Sequence, residues 1–312
     1  MMNNRIKKNL FTLLIIILCF SSVDAQILRA ASYNLRYDNP DDSLNNWKYR
    51  RNTVAKLIQF HDFDIFGSQE GLRHMLDQLS NRLPDYSYIG IGRDDGKQKG
   101  EHSAIFYKTK MFQLLDKGNF WLSEDPSKPN VGWDAVLPRI VSWGKFKEKE
   151  TGLVFFFFNV HFDHVGIIAR KESSKLILRK IKDIAKNKPT LLTGDFNVDQ
   201  NSASFKVLNG SELLTDAYDL ADLKYGPEGS FNGFKINTRS ESRIDHVFVT
   251  DDFKVLKHGI LTDTYHTDMK KLKKEKNSGA HPKEILLYEN QARLTSDHYP
   301  VLTVLKIRNK EK

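Results

Sequence analysis

Short runs of β-branched and aromatic residues recur along the chain, and each is bounded by polar turn residues. This pattern predicts a protein built largely on β-strands. The predicted strands cover residues 27–35, 63–69, 86–92, 103–108, 189–195 and 244–251, with a last one from Val301. Two further runs flank KETG (149–152), which predicts an antiparallel hairpin.

Two stretches have helical spacing instead. Residues 47–60 and 167–186 place apolar side chains on one face and polar or basic ones opposite. In the second stretch the predicted buried face consists of Ile167, Ile168, Leu178, Ile181 and Ala185. Many strands with few helices favour an α/β fold of two packed sheets flanked by helices. Residues 261–283 are polar and basic, and are predicted to form a mobile surface insertion.

The N-terminus has the order of a secretory signal peptide. Basic residues precede the apolar run 10–20, and small residues follow it up to Ala25. The run is too short to span a bilayer comfortably. We therefore expect removal of residues 1–25, a secreted or periplasmic protein, and no stable membrane span afterwards. The alternatives are an uncleaved anchor and a lipoprotein; the latter needs a small residue before Cys19, where the chain has Leu18.

Composition adds two constraints to a chain of 312 residues with an ordinary 40% hydrophobic content. Of the net charge of +9, the predicted signal carries +2, which leaves +7. Such a charge favours anionic partners such as phosphate esters, nucleic acid or membrane surfaces. Cys19 is the only cysteine, so residues 26–312, predicted to be one monomeric domain, hold no disulfide or thiolate.

Polar side chains collect at the ends of six predicted strands. They are Asn34; Glu70; His161 and Asp163; Asp195 and Asn197; Asp245 and His246; and Asp297 and His298. Any one of them has a structural explanation as a turn residue, but the recurrence favours a shared site. Carboxylate and amide oxygens suit Mg²⁺, Mn²⁺ or Ca²⁺, and histidines with acidic partners transfer protons and stabilise negative charge. Together they predict metal-assisted phosphoester hydrolysis.

The other histidines are assigned structural or solvated positions. Neighbours in a strand point to opposite faces, so Asp245 and His246 should not both face the site, and His246 is predicted to be structural. Five further histidines are predicted to be solvated: His61, His74, His258, His266 and His281.

Seven motifs resemble the endonuclease/exonuclease/phosphatase superfamily in order and style. They are SYNLRYDN, GSQEG, GEHSAIFY, NVHFDH, GDFNVD, SRIDHVFV and SDHYPV. The resemblance implies a four-layer α/β sandwich of the deoxyribonuclease I type, with the site between the upper edges of two sheets. It also implies a Mg²⁺ site, with Mn²⁺ as a substitute, near Asn34, Glu70 and Asp297, of which Glu70 is the main ligand.

The same resemblance implies the catalytic roles. Asp195 and Asn197 match the pair that orients the attacking water and contacts the phosphate. His298 matches the histidine beside the scissile phosphate, and Asp245 matches the carboxylate that orients it.

Three further matches are specific to the deoxyribonuclease I branch, although the disulfides of that enzyme are absent here. His161 resembles its second histidine, Glu101 the acidic partner, and Arg139 a phosphate-binding arginine. For Asp163 and His164, a turn role and a site role both stay open.

The sequence as a whole predicts an exported, Mg²⁺-dependent phosphoester hydrolase of the phosphodiesterase or nuclease type, in which water attacks in line. A phosphomonoesterase and a sphingomyelinase-like lipid phosphodiesterase are the alternatives within this class. The substrate is then a phosphate ester, with nucleic acid as one option. A non-catalytic binding module would be expected to lack motif residues, and none is missing.

Overall fold

The computed structural model describes residues 27–268, 282, 284 and 290–308. The predicted signal peptide lies outside the described residues, as do residues 269–281 of the predicted basic insertion. None of the helices in the described ranges is both long and apolar enough to cross a membrane.

Strands dominate the described chain, as the apolar pattern predicts. They are β1 (Ile27–Asn34), β2 (Ile65–Gly71), β3 (Tyr86–Ile89), β4 (His102–Lys108), β5 (Phe112–Trp121), β6 (Ile140–Glu148), β7 (Val154–His161), β8 (Thr190–Asp195), β9 (Thr215–Asp216), β10 (Leu223–Tyr225), β11 (Asp245–Val249), β12 (Phe253–Ile260), β13 (Thr264–Asp268), β14 (Asn290–Leu294) and β15 (Val301–Ile307). The helices are α1 (Trp47–Phe60), α2 (Arg73–Ser80), α3 (Ile167–Ala185), α4 (Ala203–Asn209) and α5 (Ala217–Leu220), with a 3-10 helix at Pro40–Asn45.

The strands form two large mixed sheets and one small one. The first sheet has the order β10-β12-β15-β1-β2-β4-β3, and the second has the order β5-β6-β7-β8-β11-β9. β6 and β7 are the predicted antiparallel hairpin around KETG. Strands β13 and β14 pair separately, and β13 lies within the segment 261–283 that is predicted to be a mobile surface insertion.

Three apolar layers hold the two sheets and the helices together. Between the sheets, Ile65 and Ile105 pack in one cluster with Phe157 and Leu191. A second cluster joins the first sheet to α1 and α2, and a third joins the second sheet to α3 and α4. The order helices, sheet, sheet, helices confirms the four-layer sandwich.

A polar contact sits between the sheets below their upper edges. The side chain of Asn159 on β7 accepts a hydrogen bond from Gln69 Nε2 on β2 at 2.7 Å and donates to the backbone oxygen of Ser68 at 2.9 Å. A Cβ atom on Gly67 would lie 2.2 Å from Asn159 Oδ1, so only glycine admits this close approach. The contact fixes the spacing of β2 and β7 just below the residues of the site.

The predicted buried face of α3 is wrong at its first turn. Ile167 and Ile168 are 71% and 58% exposed, whereas Ser173 and Ser174 are buried. Ser174 Oγ lies 3.1 Å from the backbone oxygen of Arg170 and 3.0 Å from that of Ser204, so its single O–H can donate to either one, which makes a buried serine acceptable. Polar residues on the inner face shift the real apolar stripe away from the one that hydropathy alone indicates.

His258 on β12 is buried rather than solvated, which corrects the prediction. Its register against β15 shifts between Val255 and Lys257. Such a β-bulge adds one residue and reverses the alternation of faces beyond it. His258 therefore points inward, where Thr303 Oγ1 lies 3.2 Å from its Nδ1.

Candidate active site

Strand register aligns three of the predicted residues across the upper edge of the second sheet. His161 pairs with Asp195 between the parallel strands β7 and β8, and Asp195 pairs with Asp245 between β8 and the antiparallel β11. The ends of β1 and β2 bring Asn34 and Glu70 to the facing edge. Because the two sheets pack face to face, all of these side chains meet in one place.

A cavity of about 490 Å³ opens between these edges. It is lined by Arg36, Tyr37, Glu70, Glu101, Leu137, Arg139, His161, His164, Asp195, Asn197, Phe231, Asp297 and His298. Two predicted site residues, Asn34 and Asp245, are buried behind this lining and contact it through hydrogen bonds. The structure thus brings every predicted site residue together.

His298 lies in the turn before β15, and the buried carboxylate of Asp245 holds its ring. Its Nδ1 is 2.8 Å from Asp245 Oδ2, and its Nε2 is 3.8 Å from Asp195 Oδ2. Burial alone would lower the pKa of His298, but the charges of Asp245 and Asp195 raise it well above the usual value. The imidazolium form is therefore favoured, and it can stabilise negative charge in the cavity.

The side chain of Asp195 contacts residues of both sheets. Its Oδ2 accepts a hydrogen bond from Asn34 Nδ2 at 2.9 Å and lies 3.4 Å from His161 Nε2. Its Oδ1 accepts from the backbone N–H of Asn197 at 2.9 Å, and Asn197 Nδ2 donates to the backbone oxygen of Phe162. The carboxylate is thus held between two histidines and fixed in orientation.

Glu101 is the acidic partner of His161. His161 Nδ1 lies 3.6 Å from Glu101 Oε2, and Arg93 donates to both oxygens of Glu101 at 2.7 and 2.9 Å. Burial raises the pKa of Glu101, but His161, Arg93 and Arg139 more than compensate and lower it to about 2. Glu101 is therefore a fixed negative charge behind His161.

Arg139 is buried at the edge of the cavity and keeps a free donor. Its Nε is 3.3 Å from Asp163 Oδ2, and its Nη2 is 3.0 Å from His164 Nδ1. Its Nη1 is buried and lacks a hydrogen-bond partner among the described residues. A buried guanidinium with an unused N–H suits an anionic ligand such as a phosphate oxygen. Asp163 also accepts backbone N–H groups of Val165 and Gly166, so it serves the turn and the site alike.

Glu70 has the strained backbone expected of a functional residue. Its φ is +62°, in the left-handed region that non-glycine residues rarely occupy. Arg36 and Asn197, which also line the cavity, have φ values of +53° and +50°. Strain of this kind persists only where the surroundings impose it, and it concentrates at active sites.

The carboxylates of the cavity fit a hard divalent cation. Glu70 accepts only neutral N–H groups, from Asn34 at 3.0 Å and from the backbone of Tyr37 at 2.9 Å. Across the described ranges no cationic side chain lies within ion-pair distance of it. Burial and the charge of Glu70 raise the pKa of Asp297, although His298 and Arg36 partly offset this. Crowded carboxylates with hard oxygen ligands suit Mg²⁺ or Mn²⁺.

Of the two predicted carboxylate ligands, Glu70 belongs to a group of possible metal donors, and Asp297 does not belong to that group. Single donor atoms of Glu70, Asp195 and His298 all lie within 4.8 Å of one another. Asn34 directs its amide nitrogen to Glu70 and Asp195, while its oxygen accepts from the backbone N–H of Arg36. Asp297 Oδ2 lies 3.7 Å from Arg36 Nη1. The metal roles of Asn34, Glu70 and Asp297 stay predictions.

His246 faces away from the cavity, as predicted from strand alternation. It is buried beside Phe196 and Phe205. Its Nδ1 lies 3.1 Å from Asp216 Oδ2 and its Nε2 lies 3.4 Å from the backbone oxygen of Val198. Both ring nitrogens are occupied, which fits a structural role.

Sequence reasoning missed five residues at the site: Arg36, Tyr37, Arg93, Leu137 and Phe231. Arg36 lies inside the motif SYNLRYDN, so the motif itself carried the signal. Arg93 reaches the site only through the fold, because a loop brings its backbone N–H to the backbone oxygen of Glu101. Phe231 forms an isolated bridge with His298, and nothing in the local pattern marks it.

The chain belongs to the endonuclease/exonuclease/phosphatase family, whose model matches residues 31–298. It is 47% identical to a family member from Bacteroides thetaiotaomicron, with 91% of this chain and 99% of that chain covered and a TM-score of 0.83. It is 48% identical to a mannosyl-6-phosphatase of the same organism, with 89% and 99% covered and a TM-score of 0.81.

A more distant relative acts on a different substrate class. The 3'-5'-exoribonuclease subunit of the CCR4-Not complex of Saccharomyces cerevisiae is 27% identical over 228 residues, which is 60% of this chain and 26% of that protein. Members of the family are hydrolases of phosphoester bonds, and the present chain is a hydrolase of this type.

Proposed function

We propose that this protein is a metal-dependent phosphomonoesterase that removes phosphate from a sugar, with Mg²⁺ as the metal and a location outside the cytoplasm. A phosphomonoesterase is one of the alternatives that the sequence leaves open, whereas the first prediction from the sequence is a phosphodiesterase or nuclease. The similarity to a mannosyl-6-phosphatase supports it. The N-terminal pattern of a signal peptide supports export.

The lining of the cavity is the observation that carries the proposal. Its exposed members are Leu137, His164 and Phe231, which are apolar, aromatic or imidazole side chains. Within the described ranges no lysine lines the cavity; of its two arginines, Arg36 is engaged by Asp42, and Arg139, paired with Asp163, leaves Nη1 for the phosphate that is cleaved. A nucleic acid would require cations for the phosphates next to the one that is cleaved. This cavity instead suits one phosphate attached to an uncharged group.

The cavity residues define the chemistry that follows. A bound divalent cation would be held at Glu70 and would supply a Lewis acid for the phosphoryl oxygen. Asp195 is placed to orient a water molecule and accept its proton. His298 and His161 face Asp195 from two sides and can stabilise the negative charge that develops on the phosphate. Arg139 Nη1 can donate to a non-bridging oxygen.

The substrate test uses the chain from residue 26 in Mg²⁺ and in a chelator. The substrates are mannose 6-phosphate, phenyl phosphate, bis(p-nitrophenyl) phosphate, duplex DNA and single-stranded RNA. We expect the two monoesters to be hydrolysed at least about 100-fold faster than the diester, corresponding to at least about 2.7 kcal/mol in activation free energy. Faster hydrolysis of DNA or RNA would reject the proposal, and full activity in the chelator would reject the metal.

Glu70→Gln tests the metal site directly. The amide keeps the shape of the side chain but removes one charge from a hard-cation site, so activity and Mg²⁺ affinity should fall together. Titration of Mg²⁺ by calorimetry measures the affinity without turnover. Unchanged Mg²⁺ binding would remove Glu70 from the site.

A lipid-borne phosphoester is the second candidate, and one surface favours it. Val136, Leu137, Val165, Ile167 and Ile168 form an exposed aliphatic surface that begins at the cavity wall. The carboxylates of Asp163 and Asp134 hold its two segments together through backbone N–H groups. Large exposed apolar patches mark interaction sites. Binding to phospholipid vesicles that is lost in the double variant I167S/I168S, together with hydrolysis of a lipid diester, would favour this candidate.

A further inference from the structure

The cavity has a charged floor and an uncharged rim. The floor consists of the buried residues Arg139, His161, Asp195, Asp297 and His298. The rim consists of the exposed residues Leu137, His164 and Phe231. Because the groups that fit phosphate and metal belong to this floor or, like Glu70 and Asn197, are half-buried beside it, the rim should contact the part of the substrate that lies beyond the phosphate.

The hydrogen bond between Arg139 and His164 determines which nitrogen of His164 carries the proton. Arg139 Nη2 lies 3.0 Å from His164 Nδ1. A guanidinium only donates, so Nδ1 must accept, and the neutral ring then carries its hydrogen on Nε2. His164 thus offers one N–H donor, and Nε2 has no protein partner among the described residues.

The position of His164 is fixed although its side chain is exposed. The preceding carboxylate of Asp163 accepts the backbone N–H groups of Val165 and Gly166 at 2.9 and 2.8 Å and also contacts Arg139 Nε. The backbone on both sides of His164 is therefore held, and its Nδ1 is held by the same arginine. A donor that is held in place before binding loses little entropy when a ligand arrives.

Phe231 supplies an apolar surface next to the reacting group. Its ring centroid lies 5.0 Å from that of His298 in an edge arrangement, and the residue is 45% exposed. One part of the ring therefore packs on a histidine of the floor while another part stays open to a ligand. The C–H face of a sugar is apolar enough to cover such a ring, whereas its hydroxyl groups need donors and acceptors.

We propose that His164 is a specificity-determining residue that donates its Nε2–H to a hydroxyl oxygen of the sugar, while Phe231 and Leu137 contact the apolar face of the ring. The inference rests on the sugar-phosphate function proposed above and adds the residue that recognises the sugar. A site that hydrogen-bonds a substrate hydroxyl discriminates against the analogue that lacks it.

His164 could instead serve only to position Arg139, and one variant separates the two roles. In His164→Asn the amide oxygen can accept from Arg139 in the place of Nδ1, but no donor reaches the place of Nε2. His164→Leu removes both functions. His266→Leu is the matched control, because His266 is an exposed histidine on β13 outside the cavity lining.

The experiment measures kcat/KM for mannose 6-phosphate, for analogues that each lack one hydroxyl, and for phenyl phosphate, which has no sugar. We expect His164→Asn to lower kcat/KM for mannose 6-phosphate roughly three- to tenfold, as for loss of one neutral hydrogen bond, and to lower kcat/KM for phenyl phosphate by a clearly smaller factor. For the wild type, one deoxy analogue should have a lower kcat/KM than mannose 6-phosphate. For His164→Asn the two substrates should have equal kcat/KM, since the variant no longer hydrogen-bonds that hydroxyl.

Inhibition by inorganic phosphate gives a second readout. It should be unchanged in His164→Asn, which keeps the partner of Arg139, and weaker in His164→Leu. Two results would overturn this inference and leave the proposed function standing. One is an equal loss of kcat/KM on mannose 6-phosphate and phenyl phosphate in His164→Asn, and the other is a lower kcat/KM for the deoxy analogue that persists in this variant. A wild type that cleaves phenyl phosphate but no sugar phosphate would overturn the proposed function and this inference with it.

Discussion

Two buried histidine–carboxylate pairs begin at neighbouring residues of β11, and they face opposite sides of the same sheet. Asp245 points to the cavity and binds His298 Nδ1 at 2.8 Å. His246 points away from it and lies 3.1 Å from Asp216 Oδ2. All four side chains are almost completely buried. Residue type, pairing and burial are therefore the same in both pairs.

The two pairs differ in what the second ring nitrogen contacts. His246 Nε2 lies near the backbone oxygen of Val198 and is enclosed by aromatic rings. His298 Nε2 faces Asp195 across 3.8 Å, which is too long for a hydrogen bond, and it lines the open cavity. The pair of Asp245 and His298, the site pair, has a ring nitrogen that is free to contact a ligand, and the pair of Asp216 and His246, the structural pair, does not. Asparagine variants of both histidines can test this difference.

His298→Asn should have the largest effect, on activity. The asparagine amide can still donate to Asp245 in the place of Nδ1, but nothing replaces the cationic Nε2–H. We expect kcat to fall about 10²–10³-fold, as for loss of one group that stabilises transition-state charge, with little change in thermal stability. Steady-state kinetics and a thermal melt measure the two effects. His246→Asn is the matched control and should keep kcat within about threefold; equal losses in both variants would remove the distinction between the pairs.

Asp216→Asn should act on stability instead. Its carboxylate lies near His246 and, at 3.5 Å, near Arg243 Nη2, and these contacts lower its pKa although burial alone would raise it. Removing one charge from a buried network leaves its partners uncompensated, so we expect a loss of about 3 kcal/mol in the free energy of unfolding. Urea denaturation measures this loss. A variant of normal stability with impaired kcat/KM would show that the Asp216 pair belongs to the active site.

His258 extends the comparison to a buried histidine without a directly bound carboxylate. Burial lowers its pKa to about 4, although Asp216 opposes this. The other charged groups that act on it are Arg243, His246 and Lys224. The folded protein therefore holds His258 neutral, while the unfolded chain binds a proton below pH 6.5. Stability should be full above pH 6.5 and should fall as the pH drops towards 4, by about 2 kcal/mol between pH 7 and pH 5.

Urea denaturation at several pH values measures this dependence. In His258→Gln the slope of stability against pH should decrease over the same window, whatever the stability at pH 7. An unchanged slope would mean that another group, and not His258, causes the acid sensitivity.

His258 also shows where sequence patterns fail. Alternation from Phe253 would place His258 outward, and only the bulge near Val255 turns it inward. The exposed Ile167 was assigned to a buried face for a related reason, because buried Ser174 does not count as apolar in a periodicity. Contacts between residues far apart in the sequence determine the burial of both side chains, and a local sequence pattern carries no information about such contacts.

The site was easier to predict than these details, for a physical reason. Asp195, Asp245 and His298 lie at strand ends within distinctive motifs, and strand register alone then brings Asp195 beside Asp245. Phe231 reaches the same cavity from a loop, and Arg93 reaches Glu101 beside it from another; the local sequence does not determine the paths of these loops. The predicted residues thus lie on strands or next to them within the motifs, whereas Arg93 and Phe231 lie outside the motifs and were found only in the structure.

Asp245→Asn should have the smallest effect, and it tests how the site pair works. The amide oxygen can still accept from His298 Nδ1, so the tautomer and the ring orientation are kept, but the charge that helps to raise the pKa of His298 is lost. We expect kcat to fall about tenfold, less than in His298→Asn, because Asp195 still favours the imidazolium. The pH profile of kcat separates the two explanations of such a loss: weaker charge stabilisation moves the descending limb to lower pH, whereas misorientation lowers the whole profile. An Asp245→Asn loss as large as that of His298→Asn, without any shift of the profile, would show that Asp245 acts by orientation alone.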